Sequence, residues 1–120
     1  MKNVISVCGD AHRHFTSDLL HDGDDPRANG RVVASEFLAT SITSGSDGTG
    51  QDNDFHRHVT ALNPHLKAMT DRRGYVLCDV DRNHWRGELK TLDRVMVPDQ
   101  PVRTFASFVV ENGHPGLQPA

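Results

Sequence analysis

The chain has 120 residues, enough for one small domain with its own core and too few for several. Its 13 lysines and arginines against 16 acids give a net charge of −3, with the two signs interspersed, which excludes a polybasic face for nucleic acid or an anionic membrane. The hydrophobic fraction of 36% and the mean hydropathy of −0.53 are low for a self-sufficient chain, and no apolar stretch is long enough to span a bilayer.

The first element is a β-branched run over residues 3–8 that breaks at Gly9 and is followed closely by Asp10, His12 and His14. The opening residues lead into this strand rather than into a signal peptide, so the chain as written is expected in the cytoplasm. A buried strand that stops at a glycine delivers the next side chains to the edge of a sheet, where ligand crevices lie. Carboxylate and imidazole are usual donors to iron, manganese or zinc, and Asp-x-His-x-His lets successive donors fall on one side of an extended loop. A catalytic metal needs three protein ligands and an open position, so the competing reading is a polar loop with exposed histidines.

Residues 15–20 read equally as a short strand or as the start of a helix. The Gly, Pro, Asp and Asn content of residues 21–30 marks a loop, and its acids lack the ligand spacing of a calcium-binding EF-hand. Residues 31–43 form the best long strand, neither face wholly polar, as suits a two-layered core. Glu36 stands among apolar neighbours and is expected to be paired, with an arginine as the natural partner, or to lie at an edge. A catalytic part for it is the lesser alternative.

Residues 41–50, Ser-Ile-Thr-Ser-Gly-Ser-Asp-Gly-Thr-Gly, offer backbone N–H groups and hydroxyls but lack the Gly-Lys-Ser/Thr ending of a P-loop. By composition this is a flexible loop. Asp52, Asn53 and Asp54 are helix-capping side chains, and Phe55, Val59 and Leu62 then fall on one helical face. Pro64 ends that helix near Leu62, and Asn63 is placed to cap a second short one. His56 and His58 cannot share a helical face and are expected in solvent.

From Arg73 the pattern turns antiparallel. Residues 74–80 and 85–92 flank a polar turn of hairpin length, with Trp85 packed on its neighbours and Tyr75 in the core. A last strand covers residues 102–110, and Asn112 onward reads as a turn and a frayed end. Cys8 and Cys78 form no Cys-x-x-Cys pair and are expected as small core residues. The fold class is therefore α/β (α+β), sheet-rich and mostly antiparallel after the first strand, with one or two short helices.

Six blocks in order extend this reading. Val7-Cys-Gly-Asp-Ala-His12, Glu36-Phe-Leu-Ala-Thr-Ser-Ile-Thr-Ser-Gly-Ser-Asp-Gly48, Asn63-Pro-His-Leu-Lys67, Arg73-Gly-Tyr75, Trp85 and Ala106-Ser-Phe-Val-Val-Glu-Asn-Gly113 together resemble the C-terminal part of the alkaline phosphatase D (PhoD-type) family. The resemblance covers about residues 3 to 118. It implies one side of a metallophosphoesterase β-sandwich, hydrolysing phosphate mono- and diesters with an iron and calcium cluster. Asp10 and His12 match the family's Gly-Asp-x-His and are the implied metal ligands. His14 lies outside that match, and contact with phosphate, with metal, or with solvent alone stays open for it. Residues 41–50 are implied to pack near the active site.

The family's earlier ligands belong to an N-terminal half that this sequence does not contain, so the isolated chain is expected to lose the cluster and with it most activity. Whole relatives of the type are usually exported, their signal lying in that half. The implied partners are a phosphate ester and either the missing half or a second copy joined through open sheet edges. The alternative is a noncatalytic remnant or a half-domain that depends on a partner for its shape.

Overall fold

In the computed structural model, which describes residues 3–21, 30–50 and 53–120, the alternating and β-branched segments form two four-stranded sheets. The first contains β1 (Val4–Cys8), β2 (His14–Leu20), β3 (Val32–Leu38) and β4 (Leu66–Thr70), in the order β1-β3-β2-β4. β1 runs parallel to β3, and the other pairings are antiparallel. The second sheet is an antiparallel meander of β5 (Arg73–Val80), β6 (His84–Leu92), β7 (Arg103–Glu111) and β8 (His114–Pro119). One helix, α1 (Asp54–Leu62), joins β3 to β4 and packs beside β4. The expected class, sheet-rich and mostly antiparallel with a short helix, is the one observed. No helix among the described residues is long and apolar enough to cross a membrane.

The core lies between the sheets. Phe37, Leu89, Phe108, Val110 and Leu117 are its buried members, with Ile5, Val76, Trp85 and Phe105 packed around them. Phe37 is fully buried and faces the second sheet where Gly87 leaves room for its ring; a Cβ at Gly87 would overlap that ring. Trp85 packs on Phe37 across the sandwich with ring centroids 6.5 Å apart.

Residues 15–20, open between strand and helix, form a strand, because β2 is paired on both sides, by β3 and β4. Several expectations are corrected, and in each case a long-range partner overrides a local signal. β3 stops at Leu38 instead of reaching residue 43: Ala39 still donates to the Cys8 carbonyl at 2.8 Å, and the chain then turns so that Thr40 covers His14. No second helix follows Asn63. Asn63 closes α1, and the next residues join β2 as β4, with Asp18 N–H donating to the His65 carbonyl at 2.9 Å.

The tail is ordered as β8. The buried Asp18 carboxylate accepts from Leu117 N–H at 2.8 Å, and Leu117 fills the core. Tyr75 points out of the sandwich, 41% exposed, because strand alternation turns Val76 inward. Cys8 and Cys78 are both exposed. Glu36 is half-buried and accepts from the Cys8 thiol at 3.4 Å rather than from an arginine. The buried face of α1 carries His56, while Phe55 and Leu62 are exposed. His56 Nε2 meets Arg13 Nη1 at 3.0 Å, and the same guanidinium covers the Phe55 ring. The acids of residues 22–29 and Asp52 lie outside the described residues.

Candidate functional site

Between β1 and β2 the chain must reverse within residues 9–13, and it does so with unusual backbone. Asp10 has φ 82° and His12 φ 54°, left-handed values that cost a non-glycine residue on the order of 1 kcal/mol each and persist only where surroundings enforce them. Both side chains are exposed, and neither has a hydrogen-bond partner among the described residues. They stand free for a ligand at the end of β1.

What enforces the turn is Arg73, at the start of β5. Its guanidinium is 5% exposed. Nη1 donates to the His12 carbonyl at 2.6 Å and to Ser41 Oγ at 3.1 Å, Nε to the Ser46 carbonyl at 2.8 Å, and Nη2 to the Gly45 carbonyl at 2.9 Å. A planar fork with five donors suits this divergent set of acceptors, which a lysine could not span. The side chain thus ties the turn bearing His12 to residues 41–46. Gly45, at φ 83°, lies so near that a Cβ there would come within 3.8 Å of His12 Nδ1.

Residues 41–50 are pinned rather than loose, which corrects the expectation from composition. Asp71 accepts from Thr49 N–H at 2.9 Å, Thr49 Oγ1 at 2.6 Å and Gly50 N–H at 2.7 Å. Desolvation works to raise the Asp71 pKa, but the bonds from Thr49 and Gly50 together outweigh it and hold the carboxyl below its ordinary value. Arg72 Nη1 donates to the Gly48 carbonyl at 3.3 Å and to the Asp93 carbonyl at 2.8 Å. Asp47 accepts from Val95 and Met96 N–H at 2.7 and 3.0 Å, and these two bonds lower its pKa. Three consecutive residues, Asp71-Arg72-Arg73, therefore clamp the loop from beneath.

His14 is placed differently from its two neighbours in sequence. It begins β2 and is fully buried, with Nε2 at 3.1 Å from the Lys90 carbonyl and Nδ1 accepting from Thr40 N–H at 3.4 Å. Asp10 and His12 share the exposed turn; His14 sits in the interior beneath it.

Asp10 and His12 suit a cation by chemistry, as a carboxylate and an imidazole without other partners. They fall short of holding one alone. Among the described residues no three His, Cys, Asp or Glu side chains are grouped to hold a metal ion. Two potential donors are fewer than the three protein ligands that a catalytic metal takes.

Arg73 and Asp71 are the residues that sequence reasoning passed over. Their signal was present: an acid and two arginines in succession where the pattern switches to antiparallel strands, beside a glycine. Gly74 is required there, since a Cβ would collide with the Lys90 carbonyl.

A family model described as PhoD-like phosphatase matches residues 1–89. Alkaline phosphatase D of Bacillus subtilis (strain 168) is 32% identical over 118 residues, which is 98% of this chain and 20% of that protein. A solved structure of PhoD matches with a TM-score of 0.89 at 31% identity, covering 100% of this chain and 22% of that one. The chain spans about a fifth of the length of the curated relative.

Proposed function

The chain belongs to the PhoD-like phosphatase family, and from that premise we propose that it is the C-terminal portion of a metal-dependent phosphoric ester hydrolase of the alkaline phosphatase D type. In this reading it supplies one corner of the active site. Asp10 and His12 are the cation donors of that corner, and iron and calcium are the cations expected. When bound, such cations neutralise phosphate oxygens and activate water for in-line attack on a phosphate ester. The chain's own residues orient the donors: Arg73 fixes the turn, and His14 supports it from below through main-chain bonds. Burial of both its ring nitrogens favours that supporting part for His14 over contact with phosphate.

One observation carries the reading. The only functional side chains that match the family's Gly-Asp-x-His are also exposed, unpartnered and held on left-handed backbone. Strain kept at an exposed acid and imidazole is what a ligand-holding turn requires.

A second feature favours dependence on further polypeptide. Ile5 and Val7 share the inward face of the first sheet with Ser35 and Phe37, yet Val7 is 56% exposed. In the second sheet Val80 is 54% exposed. In this reading further polypeptide covers these exposed apolar side chains.

The test is hydrolysis of p-nitrophenyl phosphate at alkaline pH with iron and calcium supplied. The chain alone is expected to give turnover near the buffer rate. Combined with the remaining portion of a PhoD-like phosphatase it is expected to restore turnover, and Asp10→Ala or His12→Ala should abolish the restored rate. Full turnover by the restored D10A or H12A protein would overturn the assignment. A noncatalytic half-domain would assemble with its partner and still hydrolyse nothing.

A further inference from the structure

We propose that Arg73 is a positioning residue whose guanidinium fork, rather than its charge, sets the geometry of the turn that carries His12. The inference rests on the reading of Asp10 and His12 as cation donors, and deepens it by separating what the fork of Arg73 does from what its charge does. Arg73 is nearly fully buried, and its acceptors are neutral oxygens: the carbonyls of His12, Gly45 and Ser46, and the hydroxyls of Ser41 and, at 3.5 Å, Thr40. No carboxylate pairs with it among the described residues. A buried cation without a counter-charge costs several kcal/mol, so charge pairing does not explain its place. Geometry does. The shortest of its bonds ends on the carbonyl of the left-handed His12, and the others fasten residues 40–46 as the opposing wall.

Release of that carbonyl leaves His12 free to relax to ordinary backbone, which reorients its imidazole while β2 and the core are left intact. The effect is local because none of the acceptors of Arg73 belongs to the Phe37 core.

The test compares the wild-type chain with Arg73→Lys, which keeps the charge and removes the fork, using amide exchange and imidazole resonances. Amide exchange at Thr40 and Gly74, whose N–H groups bond His14 Nδ1 and the Ser41 carbonyl beside the clamp, is expected to rise about tenfold in R73K, the scale of one charge-assisted hydrogen bond, with Phe37, Trp85 and Leu89 signals unmoved. Manganese(II) alone, in large excess so that a two-donor corner is transiently occupied, should selectively broaden the His12 ring in the wild type and several-fold less in R73K. Should R73K fail to fold, Ser41→Ala removes one acceptor of the same nitrogen and is expected to shift both readouts in the same direction by a smaller factor. Wild-type behaviour of R73K in both measurements, or of S41A where it stands in, would overturn the proposal while leaving the cation reading in place. A wild-type His12 indifferent to manganese, with exchange still raised by R73K, would instead sink the cation reading and keep the positioning role.

Discussion

His14, for which contact with phosphate, metal or solvent stood open, is enclosed in the interior. With Nε2 donating to the Lys90 carbonyl and Nδ1 accepting from Thr40, the neutral ring satisfies both partners, whereas a protonated Nδ1 would face the Thr40 N–H donor. Burial therefore holds its pKa below the ordinary 6.5, against the opposing pull of carbonyl bonds from Lys90 and Leu38. The unfolded chain takes up this proton near 6.5 and the folded one only at lower pH, so stability falls as pH drops below 6.5 toward the folded value. The lowered Asp71 carboxyl acts in a separate and more acidic window, below 3.8. Thermal melts at about pH 7.5 and about pH 5.5 are expected to show a drop in midpoint for the wild type. His14→Gln, which does not titrate, should lose most of that drop. An unchanged slope in H14Q would place the pH sensitivity elsewhere. Spacing alone does not separate His14 from Asp10 and His12, because a stretch of alternating polar residues does not say where the turn ends and β2 begins. Burial separates them.

Elements meet here through small residues placed under large ones. Gly87 in β6 lies beneath the Phe37 ring of β3. Gly87→Ala forces the ring to shift within a packed core and is expected to destabilise the fold by about 1–3 kcal/mol, read as a lower urea midpoint at unchanged slope. The β5–β6 hairpin was legible from its alternation and polar turn, and α1 from its cap and Pro64. β4 and β8 were not. Leu66–Thr70 and His114–Pro119 carry Pro or Gly signals at their starts and become strands only because β2 and β7 offer them free edges. Asp18 is the link: its carboxylate catches Leu117, and its N–H takes the His65 carbonyl. A buried carboxylate in a short polar strand gives no hint in sequence of a partner 99 residues away.

At the scale of the molecule, the two sheets close around Phe37 and leave Val7 and Val80 exposed. Val7→Glu together with Val80→Lys is expected to reduce self-association in sedimentation velocity and to leave the thermal midpoint within about 1 °C, since exposed substitutions change stability little. A lower midpoint without a change in association would mean that these valines are already covered in the isolated chain. The order of the six blocks was enough, from sequence, to indicate the PhoD-like family, and the alternation of the segments to indicate the sheet-rich class, because those features are local and survive in short motifs. Tertiary structure decided the rest. It made Arg73 the clamp of the site, sent His14 inward and turned an apparently loose glycine-rich segment into a fixed wall. Each of these depends on hydrogen bonds between residues far apart in the chain, and neither composition nor periodicity records which distant carbonyl a buried guanidinium will find.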